Sequence, residues 1–311
     1  PSKVFNNYEI FYRFGGSPIG NSRVKLTNIE DCKRQGLVSD LDIPLKVAAE
    51  QLVKDGIKIL HTIGGDDTNT TAAELSTYLD GNGYDLTVVG MPKTIDNDIF
   101  PIKQTLGAIT AAEQGALFFR NIANENTTSS RHLIIHEIMG RNCGWLTAAT
   151  AREYIQLLDC EFFAPEVLLA REKWNVDAVY IPEMDIDIDA EVKRLKSLMD
   201  KKDSVNIFLS EGAGLDSILK EMQKQGEKIN KDAYGHVRLD EINPGRWFSK
   251  KFSNKIAADK TLVQKSEYFA RSAKPCSRDM ELICQSADLA VSSALKGKSG
   301  VSGLCEDSGK Y

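Results

Sequence analysis

Short apolar runs alternate with stretches of helical spacing along most of this 311-residue chain. Ile43 to Asp55 sets Leu45, Ala48, Ala49 and Leu52 at helical intervals, which predicts a helix. Ile57 to Ile63 is a short apolar-rich run, Gly64-Gly65 a turn, and Thr70 to Leu75 a helical stretch. Thr87 to Val89 predicts a second strand, closed by Pro92. Further on, Thr105 to Asn121 predicts a helix and Leu133 to Ile138 a strand. Ala178 to Ile181 reads as a strand closed by Pro182, and Val205 to Leu209 as another. Between them, Glu191 to Asp203 is charged, with Val192, Leu195, Leu198 and Met199 as an apolar stripe, the pattern of a surface helix. Strands alternating with helices predict parallel sheets with helices on both faces. No repeat at solenoid periods and no low-complexity tract interrupts the pattern.

The predicted strand ends carry the chemistry. Gly64-Gly65-Asp66-Asp67-Thr68 follows the first strand. Glycine lets backbone N–H groups approach an anion, and a helix start adds a favourable dipole. Two adjacent carboxylates there would repel a bare phosphate, but they suit a phosphate that arrives with a divalent cation. Pro92-Lys93-Thr94-Ile95-Asp96-Asn97-Asp98 follows the second strand. In an extended backbone Asp96 and Asp98 share one side, so one carboxylate meets a hydroxyl while the other helps hold a metal. Lys93 and Thr94 add a cation and a hydroxyl, which together are the parts phosphoryl transfer needs. Either turn alone reads as a solvated acidic loop. Turns after successive parallel strands meet at one sheet edge, and that convergence favours a site.

These segments resemble the phosphofructokinase family, and within it the pyrophosphate-dependent branch. The resemblance covers nearly the whole chain. It rests on Gly15-Gly16-Ser17-Pro18-Ile19-Gly20-Asn21-Ser22-Arg23, the two acidic turns, Met139-Gly140-Arg141, Ser210-Glu211-Gly212-Ala213 and Tyr268-Phe269-Ala270-Arg271, all in the family's order. It implies an α/β fold of two similar three-layer domains with mostly parallel sheets and the active site in the cleft between them. A domain for pyrophosphate and metal is expected over 1–107 plus about 270–295. A domain for fructose 6-phosphate is expected over 108–269 plus about 296–311.

The resemblance also implies the reaction: magnesium-dependent transfer of a phosphoryl group from pyrophosphate to the 1-hydroxyl of fructose 6-phosphate. The products are fructose 1,6-bisphosphate and phosphate, and the step is reversible, within glycolysis and gluconeogenesis. Asp96 resembles the proton acceptor. An ordinary Asp titrates near ~3.9, so its value as a base lies in orientation and surroundings. Asp67 and Lys93 stand where ATP-using relatives usually carry glycine. Asp67 opposes the α-phosphate of ATP, and Lys93 balances a pyrophosphate. Gly65 and Arg23 join them at the donor, where an arginine fork holds phosphate oxygens in pairs. Asp66 resembles the magnesium-associated carboxylate, with Asp98 as a second candidate ligand. The acceptor is expected at Thr94, Ile95, Asp96, Met139, Gly140, Arg141, Glu211, Tyr268 and Arg271. Of these, Glu211 would hold sugar hydroxyls, Tyr268 and Arg271 the 6-phosphate, and Arg141 counts with the catalytic group as well.

An arginine that another subunit lends to the 6-phosphate matches either Arg131 or His132, and its assignment stays open. That sharing implies a homodimer or larger homo-oligomer. Tyr234-Gly235-His236 and Asn243-Pro244-Gly245 also occur in bacterial members of the branch and receive no role. Two alternatives stand beside the leading reading: an ATP-dependent 6-phosphofructokinase, and a non-catalytic regulatory subunit. A different sugar-phosphate acceptor, such as sedoheptulose 7-phosphate, is also open.

Composition narrows the partners. A net charge of −5 argues against nucleic acid and against an anionic membrane surface. No apolar run approaches the ~18–20 residues of a transmembrane helix. The six cysteines, Cys32, Cys143, Cys160, Cys276, Cys284 and Cys305, are scattered with no Cys-x-x-Cys pair, which fits reduced thiols in a cytoplasmic protein and argues against a zinc site. The family also begins with a strand and a glycine-rich phosphate loop well before the Gly15-Gly16 segment. Only fourteen residues precede Gly15, so that N-terminal βα unit is expected to be absent from this numbering. The tail from Lys298 to Tyr311 is likewise shorter than in many relatives.

Overall fold

The structure is a computed structural model and describes residues 6–13, 15–22, 24–226, 229 and 239–310. After a short 3-10 helix at Tyr8–Arg13, the elements run α1 (Ile29–Arg34), α2 (Pro44–Lys54), β1 (Ile59–Gly64), α3 (Asp66–Gly81), β2 (Thr87–Pro92), α4 (Ala108–Ala123), β3 (His132–Ile138) and α5 (Trp145–Asp159). They continue with β4 (Ala178–Tyr180), α6 (Ile188–Lys202), β5 (Ser204–Ser210), α7 (Leu215–Lys224), α8 (Leu239–Ile242), α9 (Pro244–Phe252), β6 (Lys260–Lys265), α10 (Glu267–Arg271), α11 (Ser277–Leu295) and β7 (Gly300–Val301). The chain divides into two compact units, 1–108 with 274–311, and 109–273. Both are α/β with parallel sheets, as the alternation of strand and helix predicts.

The first unit has a three-stranded sheet in the order β1-β2-β7. Leu60 and Val88 face α2 and α3, packing with Ala49, Ala72, Leu75 and Leu79. Val89 and Met91 face the other way, onto Ala290 and Ala294 of α11. Alternation along β2 thus buries both faces. The tail 296–311 belongs here and not, as expected, with the middle of the chain. Gly300 and Val301 pair with Val89 and Gly90, and the Lys103 N–H donates to Leu304 O at 2.8 Å.

The second unit has a four-stranded sheet in the order β4-β5-β3-β6. Every residue of β3 and β5 is buried, the condition that makes such strands read as unbroken apolar runs. On one face Leu133, Ile135, Val205, Ile207 and Leu209 pack with Leu195 and Met199 of α6 and Phe248 and Phe252 of α9. On the other, His136 and Phe208 meet Phe118 and Phe119 of α4 and Tyr154 of α5.

Several boundaries differ from the sequence reading for local reasons. Helix α3 starts at Asp66, with Gly65 as its cap, so the two acids are helical and do not lie in a turn ahead of it. Helix α4 starts at Ala108 and not at Thr105, because Thr105 is tied elsewhere. Its hydroxyl donates to Thr94 O at 2.8 Å, and its N–H donates to Asn97 Oδ1 at 2.7 Å. Helix α6 starts three residues before Glu191, where Asp187 caps it by accepting from the N–H groups of Asp189 and Ala190. The periodicity missed α5, α7, α9, α11 and β6. None of the six cysteines is joined in a disulfide, and among the described residues no helix is long and apolar enough to cross a membrane.

Candidate functional site

In the first unit, β1 and β2 end level, with Gly64 opposite Pro92. The Lys93 N–H donates to Gly64 O at 2.7 Å, which joins the two turns directly. A Cβ on Gly65 would lie 3.7 Å from Thr94 Cβ, so the turns are in contact. Asn69 pins the first turn from inside, its amide donating to Gly64 O at 2.9 Å and to Gly65 O at 2.8 Å. A Cβ on Gly64 would fall 2.3 Å from Thr68 Oγ1, so only glycine passes there.

Asp66 and Asp67 occupy the first turn of α3, where the helix dipole favours negative charge. The Lys25 ammonium lies 3.3 Å from Asp67 Oδ1. The sequence reading missed Lys25, because nothing local links positions 42 apart. Asp98 is held above the usual carboxylate range although part of its surface is exposed. Partial burial is the main cause, and the negative charge of Asp66 adds to it. The charge of Asp66 therefore reaches Asp98, and carboxylate oxygens of this kind suit a hard divalent cation.

The segment from Lys93 to Asp98 is not extended, which corrects the argument that Asp96 and Asp98 share a side by alternation. Asn97 sits in the left-handed region at φ 55° and bends the chain there. Its side chain explains why. Asn97 Oδ1 accepts from the Thr105 N–H and from the Thr105 hydroxyl at 3.0 Å, and its amide donates to Lys103 O at 3.2 Å. The Asp96 backbone N–H donates to Thr94 Oγ1 at 3.2 Å, which orients the Thr94 hydroxyl within one short turn. Lys93, Thr94 and Asp96 are half-buried, whereas the Ile95 side chain is buried and leaves only backbone for a ligand. Arg23 lies outside the described residues, as do Tyr234, Gly235 and His236.

In the second unit the residues expected at the acceptor all follow the carboxyl ends of adjacent strands. Met139-Gly140-Arg141 follows β3, Glu211 follows β5, and Tyr268 and Arg271 lie in α10 just after β6. The Gly140 N–H donates to Glu211 Oε1 at 3.2 Å, and the Glu211 N–H donates to Ile138 O at 2.8 Å. Ser210 Oγ donates to Gly140 O at 2.5 Å, closing the junction from below. Gly140 has φ 137°, and a Cβ there would meet Cys143 O at 2.6 Å. A Cβ on Gly212 would overlap Arg141 O at 1.8 Å. Backbone thus approaches backbone where Arg141 leaves the sheet. Arg141 lines an open cleft of about 320 Å³ with Glu183, Asp216 and Trp247. The Arg271 guanidinium stands 5.9 Å from the exposed Tyr268 ring.

Arg131 and His132 lie at the amino end of β3, seven strand residues and about 23 Å from Met139 of the same chain. Arg131 Nη2 donates to Asp200 at 3.0 Å and to Ile256 O at 2.9 Å. The buried His132 ring bonds Glu125 O at 2.9 Å. Asn243-Pro244-Gly245 forms the start of α9. Asn243 caps it from φ 53° and accepts the Arg246 N–H at 3.3 Å. Two further charged residues escaped the sequence reading. Glu137 and Lys265 end β3 and β6 and form a 2.7 Å ion pair. The signal available in the sequence was the acid Glu137 inside the run Leu133 to Ile138 that otherwise reads as strand, and no local signal marked Lys265.

A family model described as Phosphofructokinase matches residues 5–287. A pyrophosphate–fructose 6-phosphate 1-phosphotransferase of Methylomonas methanica is 60% identical over 300 residues, 96% of this chain and 73% of that protein. One of the same name from Propionibacterium freudenreichii subsp. shermanii is 57% identical over 303 residues, 97% of this chain and 75% of that one. Among solved structures, the pyrophosphate-dependent phosphofructokinase of Marinobacter aquaeolei superposes with a TM-score of 0.59 at 22% identity, over 91% of this chain. That likeness speaks for the fold alone, and this chain spans 59% of the Marinobacter protein.

Proposed function

The chain belongs to the phosphofructokinase family, and on that premise we propose that it transfers a phosphoryl group from pyrophosphate to the 1-hydroxyl of fructose 6-phosphate. The observation that carries the proposal is the contact between Gly64-Gly65, which leads into the acidic helix start, and the turn at Lys93-Thr94. Lys93 bonded to Gly64 O, and Thr94 against Gly65, bring Asp66, Asp67, Lys93 and Asp96 to one sheet edge. The names of the relatives at 57% and 60% identity support pyrophosphate as donor and fructose 6-phosphate as acceptor.

In this reading Asp96 accepts the proton of the sugar 1-hydroxyl as that oxygen attacks the terminal phosphorus. The bridging P–O bond of pyrophosphate breaks, and phosphate leaves. The Lys93 ammonium stabilises the charge that grows on the leaving phosphate. Asp67 opposes a nucleoside triphosphate by charge and bulk. Arg23 adds a fork for phosphate oxygens. Glu211 binds sugar hydroxyls, Thr94 holds the reacting end of the sugar, and Met139, Gly140, Arg141, Tyr268 and Arg271 bind its phosphate. Asp66, with Asp98, would hold magnesium, since two carboxylates completed by substrate oxygens and water suit that ion. When bound, the metal would neutralise pyrophosphate oxygens and polarise the transferring group. With phosphate as leaving group the reverse direction is accessible, which suits a reversible step shared by glycolysis and gluconeogenesis.

A coupled assay with fructose 6-phosphate and magnesium, comparing pyrophosphate with ATP, tests the proposal. Turnover with pyrophosphate alone is expected. Turnover with ATP alone, or with neither donor, would overturn it. The proposal includes a homodimer or larger homo-oligomer, which light scattering on the purified protein measures.

A further inference from the structure

Glu137 is 3% exposed, and both of its carboxylate oxygens are used. Oε1 pairs with the Lys265 ammonium at 2.7 Å, and Oε2 accepts the N–H of Gly245 at 2.7 Å. These partners come from different elements: β6, which lies beside β3 in register Glu137 to Lys265, and the first turn of α9. The site is built for the carboxylate. A Cβ on Gly245 would lie 2.4 Å from Glu137 Oε2 and 2.6 Å from Val263 Cγ1, so the helix start comes close only because the residue is glycine. Burial pulls the Lys265 ammonium down, but the hydrogen bond and charge of Glu137, with those of Glu267 at 3.6 Å, outweigh it together and hold the group above its ordinary value.

Two residues beyond Glu137 the chain reaches Met139 and then Arg141. Three residues beyond Lys265 it reaches Tyr268, and then Arg271. The Glu137–Lys265 link thus ties β3 to β6 just before both strands release the residues assigned to the acceptor. A buried charge costs free energy unless it is paired, so an apolar pair would serve simple packing as well or better. The geometry points to Glu137 as a positioning residue for the acceptor, acting through Lys265 and Gly245 to fix Tyr268 and Arg271 relative to Met139 and Arg141. This inference rests on the reaction proposed above and adds to it a residue that touches no substrate.

The test is steady-state kinetics on the full chain carrying Glu137→Gln, which keeps the shape and the acceptor for Gly245 but removes the charge. Displacing binding groups by a fraction of an ångström is expected to raise KM for fructose 6-phosphate about tenfold. The value of kcat is expected to stay within about threefold, and KM for pyrophosphate unchanged. Lys265→Met breaks the same tie from the other strand and carries the test if the first variant does not fold. The double variant should be no worse than the stronger single variant, because both remove the Glu137–Lys265 link, and the 3.6 Å Lys265–Glu267 pair is already lost in Lys265→Met. A folded Glu137→Gln enzyme with unchanged acceptor KM would overturn the inference alone, as would equal rises in KM for both substrates. If the unaltered chain turns over neither substrate pair, the functional reading falls and this inference falls with it.

Discussion

His136 offers a sharp test of how the second unit is held together. Its ring is fully buried, lies parallel to Phe119 at 5.4 Å, and packs against Phe118 and Phe208 at 5.4 and 5.1 Å. Neither ring nitrogen has a hydrogen-bond partner. Burial therefore strips an imidazolium of water and returns nothing, which lowers the pKa from 6.5 to about 3. The sign follows directly. Between those values the folded chain keeps His136 neutral while the unfolded chain takes up a proton. Stability is therefore lost as pH falls below about 6.5, and the loss levels off near pH 3. The slope is about 1.4 kcal/mol per pH unit, so moving from pH 7 to pH 5 costs about 2 kcal/mol through this one residue, roughly a thirtyfold change in the folding equilibrium.

The perturbation is His136→Leu, which removes the titrating group and changes volume little. Its effect at pH 7 mixes relief of two unpartnered nitrogens with lost ring contacts, and these terms offset. The informative quantity is the difference in pH dependence, in which they cancel. The assay is urea unfolding followed by tryptophan fluorescence. All three tryptophans, Trp145, Trp174 and Trp247, lie in the second unit, so the signal reports that unit. The unaltered chain should lose about 2 kcal/mol more than the variant between pH 7 and pH 5. Parallel losses would refute the reasoning and mean that the folded ring takes up its proton as readily as the unfolded one, with a hydrogen-bond acceptor or water holding the imidazolium.

Three substitutions probe the site. Asp67→Gly should raise the ATP to pyrophosphate ratio of kcat/KM by about tenfold or more, because it removes the charge and bulk set against ATP. Strict pyrophosphate use in that variant would sink the steric part of the account. Stability should change by less than about 1 kcal/mol, since the Asp67–Lys25 pair is partly exposed. Asp96→Asn should lower kcat by about 10²- to 10⁴-fold with a much smaller change in the midpoint of thermal unfolding, and a kcat near that of the unaltered chain would exclude Asp96 as the base. Gly212→Ala forces a Cβ into Arg141 O and should cost about 1–3 kcal/mol in urea unfolding while raising KM for fructose 6-phosphate. A neutral result would show that the Arg141 turn yields easily.

What the sequence determined by itself is whatever neighbouring residues encode. Period-two and period-3.6 patterns depend on residues a few positions apart, so they located β3, β5, α2 and the body of α6 to within a few residues. Parallel topology followed from the alternation of those elements. It placed Asp66, Lys93, Asp96, Arg141 and Glu211 after strand ends, because in a parallel sheet every strand presents its carboxyl end to one edge. The tertiary structure alone decided what depends on distant partners. Helix α4 begins at Ala108 because Asn97 and Thr94 hold Thr105, and the Asp96 turn bends for the same reason. The tail joins the first unit because the Ser299 hydroxyl accepts the Val88 N–H, 211 residues away in sequence, beside the β7 pairing. Glu137 reads as one acid in an apolar strand until Gly245, 108 residues on, and the neighbouring β6 supply its partners. A side chain's periodicity is written locally, but the partner that satisfies its charge is chosen by strand register and helix placement, and those exist only once the whole unit has packed.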